Sequence, residues 1–406
     1  MLKCLSRGDV SLNSQILQKS IDIKDYIISI KRQIHKNPEL EMQEFATTAL
    51  VKSELKKMGV EIVPLDTDVG VVGIIKGEKE GKGTVTALRA DMDALPIQEM
   101  TDIVDKSTVP GIMHACGHDC HTAMLLGAAK ILTSMKDKFS GIVKLIFQPA
   151  EESFRGSKYM IDLGVLENPK VDYILGLHGD ASYNIGEIAL RQGIYMASSD
   201  LFTVKITGTS GHGAYPHKVA SDPIMAASNC IMAIQSIITR QIDALDSVVI
   251  SICEIHGGTA MNIIPEKVEF SGSVRCLDKH VRDKVKRGID DIVQRIAPAY
   301  NCKAELDYRY GVPPLVNSPE VIEIVRRSAE KIVGSANVKH IDHPVMGSED
   351  FSKYLEIVPT GVFARLGIKQ RGEAPPVFHN ECFIFPEEAL PYGTALFVQF
   401  VLDVNQ

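Results

Sequence analysis

Three apolar runs, each leading into ionisable residues, constrain the fold more than any other feature of this chain. Thr84-Val85-Thr86-Ala87-Leu88 leads into Arg89-Ala90-Asp91-Met92-Asp93. Ile142-Val143-Lys144-Leu145-Ile146-Phe147 leads into Gln148-Pro149-Ala150-Glu151-Glu152. Tyr173-Ile174-Leu175-Gly176-Leu177 ends in His178. Near-continuous apolar runs suit strands covered on both faces, as in a parallel-type α/β sheet. Ligands of such sheets bind outside the carboxyl ends of the strands. One adjacent Glu pair is usually solvated surface, and one His after a strand is usually structural. Carboxylates and an imidazole converging on one sheet edge are much harder to explain that way.

Between the first two runs lies Met113-His114-Ala115-Cys116-Gly117-His118-Asp119-Cys120-His121-Thr122. It holds two thiols, three imidazoles and a carboxylate, all donor types for a transition metal. Met124, Leu125, Ala128, Ile131, Leu132 and Met135 then recur on one helical face. The donors therefore sit where a loop enters a helix. That helix end favours negative charge, so it is expected to help hold Cys116 as a thiolate.

Helices are predicted at about 16–34 and 41–58, the second ending at Gly59 as a C-cap. Near Gly193 the rhythm changes. Residues 201–207 alternate like a half-exposed strand. A helix over about 222–241, strands over 248–255 and 267–276, a charged helix over 278–296 and a strand over 303–308 follow. This β-α-β-β-α-β order is the split βαβ arrangement of a ferredoxin-like domain. The α/β pattern resumes after Gly311 with a helix over 320–333, a strand over 361–368 and a last helix after Pro386. The predicted fold class is α/β. An α/β/α domain with a mixed, largely parallel sheet covers 1–194 and 311–406, and a ferredoxin-like α+β domain is inserted over 195–310.

Within the insert, the glycine-rich stretches 210–217 and 257–262 permit close backbone approach or positive φ. They carry His212 and Asn262, and Arg275 lies in a strand. His379 sits in a proline-rich loop, and Gly347-Ser348-Glu349-Asp350-Phe351 reads as a helix start with Ser348 as N-cap.

A net charge of −7 over 406 residues, with no basic run, argues against a nucleic-acid binder. Eight scattered cysteines show no tight pairing, which argues against a disulfide scaffold. Residues 1–13 are polar and lack an apolar signal core, and no run approaches membrane-spanning length. A reduced, cytoplasmic protein with no membrane partner is expected.

Two adjacent divalent ions need roughly six to eight protein donor atoms, some of them shared. Cys116, His118, Glu152, His178 and His379 offer thiolate, carboxylate and imidazole. Glu151 is next to Glu152, so one carboxylate can ligate while its neighbour stays free as a general base.

These residues resemble the aminoacylase/carboxypeptidase superfamily of dinuclear metallohydrolases, in its amidohydrolase branch of hippurate hydrolases, N-acyl-amino-acid deacylases and indole-acetyl-amino-acid hydrolases. The resemblance runs from His35-Lys36-Asn37-Pro38-Glu39-Leu40 through residues 89–96, 113–122, 147–152, 176–178 and 211–213 to 347–351 and His379-Asn380. It implies a catalytic α/β domain with an inserted dimerisation or lid domain. It implies metal ligation by Cys116, His118, Glu152, His178 and His379, with Cys116 bridging, and Glu151 as general base and acid. It implies that His212 stabilises the oxyanion, in this family often from the partner subunit, and that Asn262 and Arg275 hold the substrate carboxylate. The wider superfamily usually carries His-x-Asp where this chain has Asp91-Met92-Asp93. Asp91 and Asp93 are read as groups that orient the ligands. His114 and His121 are read as supporting residues and Cys120 as inert packing.

The expected activity is hydrolysis of an N-acyl amino acid or short peptide to a carboxylic acid and a free amino acid. The expected cofactors are two divalent ions, with zinc or manganese ahead of cobalt or nickel, and a homodimer or tetramer is expected. The rivals are a metallo-carboxypeptidase or dipeptidase and, more remotely, a catalytically inactive metal-binding scaffold dimer.

Overall fold

The computed structural model describes residues 12–219 and 221–405, so most of the polar stretch over 1–13 lies outside the described residues. The three apolar runs form neighbouring parallel strands. Val85–Asp91 pairs in parallel with Ile142–Gln148 on one side and with Tyr173–Asn184 on the other. Gly361–Lys369 extends the parallel set beyond Tyr173–Asn184. Antiparallel Val71–Lys76 and Glu61–Ile62 flank one side, and Ile188–Leu190 with Val338–His340 the other, giving eight strands. The fold is thus the expected mixed α/β arrangement, with a largely parallel centre.

Both faces of the central strands are covered: every residue of Val85–Asp91 and of Ile142–Gln148 after the first is buried. That is why the strands read as unbroken apolar runs. Helix His118–Thr133 lies deep in the same layer arrangement and exposes only Lys130. It packs against helices Lys24–Lys36 and Leu390–Val404, and the latter against Val321–Val333. Leu125, Leu132, Leu145, Leu175, Phe397 and Val401 are among the fully buried side chains of this core. Each such large apolar side chain contributes about 1.5–3 kcal/mol by leaving water.

Several local expectations need correction. The helix predicted over 16–34 is two helices, Leu12–Asp22 and Lys24–Lys36, separated at Ile23. The next helix begins at Phe45, not near Glu41, because Met42 takes φ +58° and Glu44 turns inward. Strand Tyr173–Asn184 does not end at His178, because Gly361–Lys369 pairs with it as far as Asn184. Ser348 is not an N-cap: the helix is Ser352–Ile357, the Ser348 hydroxyl accepts a bond from Arg275, and Glu349 accepts the Phe351 amide.

The chain divides into two compact units. One comprises residues up to Gly193, Val316–Asp342 and the chain from Lys353 onward, and the other Ile194–Leu315 with His343–Ser352. The second unit has its own antiparallel sheet in the order Val248–Gly257, Lys267–Cys276, Ser199–Thr207, Lys303–Val312. Phe202, Val204, Ile206, Phe270 and Val274 alternate inward from its strands and pack with Cys230, Ile234, Val285 and Ile289 from helices Pro223–Ser236 and Lys279–Ala299. Each helix is N-capped by an aspartate, Asp222 or Asp278, whose side chain accepts two backbone amides. Among the described residues no helix is long and apolar enough to cross a membrane.

Candidate metal centre

Five segments of the first unit meet at the carboxyl ends of the central strands. They carry Asp91 and Asp93, Cys116 and His118, Glu151 and Glu152, His178, and His379. The strand register brings three of them together, with Asp91 opposite Gln148 and Arg89 opposite Gly176, and His118 joins them from a helix start, its Nδ1 3.0 Å from Asp93 Oδ1. His379 arrives on a left-handed backbone, φ +57°, with its amide donating to the Ala115 carbonyl at 2.9 Å.

His178 Nε2 lies 3.3 Å from Cys116 Sγ, and its Nδ1 lies 2.7 Å from the Gly179 carbonyl. A carbonyl only accepts, so Nδ1 carries the proton and Nε2 presents its lone pair toward the sulfur. Burial, then His121 and Arg365, hold His178 well below the ordinary imidazole range, which keeps the ring neutral. His118 Nδ1 lies 3.0 Å from Asp93 Oδ1. Burial opposes a charged His118 ring, but Asp91 and Cys116 outweigh it and raise the group well above its usual range. Contact with Glu152 raises His379, despite the opposing effect of burial.

Among the described residues, buried His118 Nε2 and Glu152 Oε1 have no hydrogen-bond partner, and they lie 3.9 Å apart. Glu152 Oε1 also approaches His379 Nε2 at 3.2 Å, outside hydrogen-bond geometry. Orphaned buried polar atoms are costly unless something satisfies them. The donor atoms of Cys116, His118 and His178 all lie within 4.8 Å of one another, and so do those of Cys116, Glu152 and His379. Cys116 belongs to both groups. Thiolate, imidazole and carboxylate donors around two adjoining points, sharing one sulfur, fit a pair of divalent ions.

The expected help from the helix N-terminus does not by itself make a thiolate. Burial, followed by Glu152, pushes the Cys116 thiol up to about 12. A bound cation is the group that deprotonates a coordinating thiol outright.

A buried network stands behind these donors. Asp91 Oδ2 accepts from Arg89 Nη1 at 2.6 Å, and Asp91 Oδ1 lies 2.6 Å from His121 Nδ1. Burial would raise Asp91, but His118, Arg89 and His121 hold it well below the usual carboxylate range. His121 Nε2 accepts the Gly179 amide at 3.1 Å, so both its ring nitrogens are engaged. Arg89 Nε donates to Gln148 Oε1 at 2.9 Å, tying two strand ends together. Gly117, at φ +89°, and Gly179 both face Phe385, where an added Cβ would lie 2.6 Å from a ring carbon. His35 bridges Asp119 at 2.8 Å and Glu99 at 3.4 Å. Burial lowers His35, but Asp119 and Glu99 outweigh it and lift the ring to about 9. His114 is buried with no hydrogen-bond partner among the described residues and is pushed down to about 4 by burial, and Cys120 is buried with its thiol raised.

The remaining predicted residues lie in the second unit. His212 is exposed on the short strand Gly211–His212, which pairs with Ile263–Ile264, and its Nδ1 accepts the Ala214 amide at 3.1 Å. Asn262 is exposed, and its carbonyl accepts the Gly213 amide at 2.8 Å, joining the two glycine-rich loops. Arg275 is half-buried and donates to the Ser348 hydroxyl at 2.6 Å. Sequence reasoning did not single out Arg89, Gln148 or His35. For Arg89 and Gln148 the available signal was a charged or polar side chain at the end of a mainly apolar run, whereas His35 lies in a charged helix and carries no such signal.

Residues 87–403 match peptidase family M20/M25/M40. The chain is 44% identical over 380 residues to thermostable carboxypeptidase 2 of Saccharolobus solfataricus, covering 92% of this chain and 93% of that one. It is 39% identical over 403 residues to IAA-amino acid hydrolase ILR1-like 4 of Arabidopsis thaliana, covering 98% and 90%. It is 36% identical over 387 residues to hippurate hydrolase of Campylobacter jejuni, covering 95% and 98%. Among solved structures it is similar to a dinuclear metal-binding peptidase of the M20 family from Bacillus subtilis, with TM-score 0.81, 32% identity and coverage of 95% and 99%. The shared α/β fold, the paired donor groups and these matches lead to one conclusion: the chain belongs to peptidase family M20/M25/M40 and is a metal-dependent amidohydrolase.

Proposed function

We propose that this enzyme hydrolyses the amide bond of N-acyl amino acids, hippurate-like or N-acetyl-amino-acid-like, to a carboxylic acid and a free amino acid. The observation that carries this reading is the pair of donor groups sharing Cys116, with Glu151 beside them. Similarity to the hydrolases named above supports the N-acyl amino acid class.

In this reading Cys116, His118, Glu152, His178 and His379 would hold two divalent ions, with Cys116 contributing to both groups of donors. Zinc or manganese suits the mixed donors best, and cobalt or nickel also fits. Bound there, the ions supply Lewis acidity, lowering the pKa of a water to about 7 and polarising the amide carbonyl. Glu151 is buried and adjacent in sequence to Glu152. It takes the proton of the attacking water and returns it to the leaving amine. Asp91 and Asp93 orient the ligands. His212 is assigned to the oxyanion, supplied by a partner subunit, and Asn262 and Arg275 to the substrate carboxylate. A homodimer is supported by strand Val248–Gly257, which ends the second sheet and exposes Val249 and Ile255 along an open edge.

Replacing Glu151 by Gln tests the mechanism: hydrolysis is expected to collapse with metal content intact, and unchanged turnover would sink it. A carboxypeptidase or dipeptidase is the second reading, favoured by the 44% identity to thermostable carboxypeptidase 2. Assays of hippurate, N-acetyl amino acids and dipeptides side by side separate the two. The inactive-scaffold alternative gives no reason for a buried base next to Glu152.

A further inference from the structure

We infer that Glu44 is a positioning residue for amide hydrolysis, holding through the Ala150 amide the turn that aims Glu151; this rests on the reading of Glu151 as the proton-transferring group. Glu151 lies between two residues whose amides are each held by a buried carboxyl group from elsewhere in the chain. Ala150 N donates to Glu44 Oε1 at 2.8 Å, and Glu152 N donates to Asp93 Oδ2 at 2.9 Å. Glu44 and Asp93 are 0% and 1% exposed.

The turn needs such holding. Ala150 takes φ +53° and Phe154 φ +58°, conformations that side-chain-bearing residues keep only when their surroundings impose them. Glu44 binds the turn at Ala150, and Lys353 Nζ donates to the Phe154 carbonyl at 2.7 Å. Inside the turn, Phe154 N donates to the Glu151 carbonyl at 2.7 Å and Gly156 N to the Ala150 carbonyl at 2.9 Å. Gly156 is required there, since a Cβ would fall 1.6 Å from the Pro149 carbonyl oxygen.

Glu44 immediately precedes helix Phe45–Lys57, yet its side chain makes no cap bond to that helix. Its second oxygen, Oε2, is buried without a hydrogen-bond partner among the described residues. Burial, with Asp93 nearby, pushes the carboxyl up to about 8. What it supplies is an acceptor at a fixed distance from the Ala150 amide.

The test uses the full-length metal-loaded enzyme with E44Q, E44D and E44L, and E151Q in parallel. E44D is too short to reach Ala150, and E44L has no acceptor. Both are expected to lose kcat by roughly tenfold to a hundredfold, with KM within about twofold, as for a small misplacement of a reacting group. Elemental analysis should show parental metal content. E44Q keeps the acceptor and should recover kcat to within about threefold of the parent, a much smaller loss than misplacement brings. In the metal-free protein, hydrogen exchange of the segment 148–153 should speed up in E44D and E44L but not in E44Q. Should E44L fail to fold, E44D carries that arm. Parental kcat and parental exchange in E44D would overturn the proposal, as would E44Q being as slow as E44D. Retained hydrolysis in E151Q overturns the base reading instead, whereas an inactive E151Q beside a fully active E44D overturns the positioning role alone.

Discussion

His118 Nδ1 lies 3.0 Å from Asp93 Oδ1, and the other oxygen of that carboxylate accepts the Glu152 amide at 2.9 Å. One buried side chain thus aligns two proposed metal ligands. Asp93→Ala removes both contacts. Metal affinity is expected to fall about 10–100-fold, the usual consequence of losing a group that orients a ligand. Chelator competition measures it, and parental affinity would exclude the orienting role.

Cys116 is common to both donor groups. Cys116→Ser should therefore lower occupancy at both ion positions together, not at one. Elemental analysis per subunit reads this directly, and full occupancy would remove the sulfur from the set of ligands.

Gly179 carries no unusual φ, yet a Cβ there would meet Phe385 at 2.6 Å. Gly179→Ala must push the ring or the strand aside, at about 1–3 kcal/mol. Thermal or denaturant unfolding should show this loss. Phe385→Leu in the same background should relieve part of it, because the obstruction is the ring.

In the second unit, buried Asp200 accepts Arg282 Nε at 2.8 Å, the Tyr308 hydroxyl at 2.9 Å and the Gly311 amide at 3.0 Å. Asp200→Ala leaves an unpaired buried cation and should cost about 3–5 kcal/mol. Denaturant titration is the appropriate measurement, and a change below 1 kcal/mol, the upper end for exposed pairs, would mean the pair is solvated.

His35 is raised from 6.5 to about 9 by Asp119 and Glu99 against the opposing pull of burial. A folded-state value above the unfolded one stabilises fully below pH 6.5 and is lost as pH rises through about 9. The stability gap between the parent and His35→Gln should be wide at pH 6 and narrow by pH 9.5 or so. A gap independent of pH would show that the ring acts only by packing.

The parallel core was legible because burial on both faces leaves few polar positions in Val85–Asp91 or Ile142–Gln148: residues the site uses, Thr86 and Lys144. Cys116, His118 and Glu152 stand out in the sequence because each lies where a loop enters a helix or just past a strand, and His379 because it sits in a proline-rich loop. Glu44 does not stand out. At the sequence level it falls in the first turn of a helix starting near 41. The left-handed Met42 delays that helix to Phe45 and turns Glu44 onto Ala150. The break at Ile23 was also invisible, because the apolar spacing continues through it. Periodicity reports which face is covered, and it is silent about a single dihedral that redirects the chain.

The amide of His379 is tied to the carbonyl of Ala115, next to Cys116. Everything between those two positions in the chain, including the whole second unit, has to be synthesised before that tie can form. A growing polypeptide therefore cannot complete the donor set until its last strand, Gly361–Lys369, has been made and the loop beyond it has closed. In the finished protein the same tie makes ion binding a clasp across distant segments, so chelation should lower the melting temperature of the first unit as a whole.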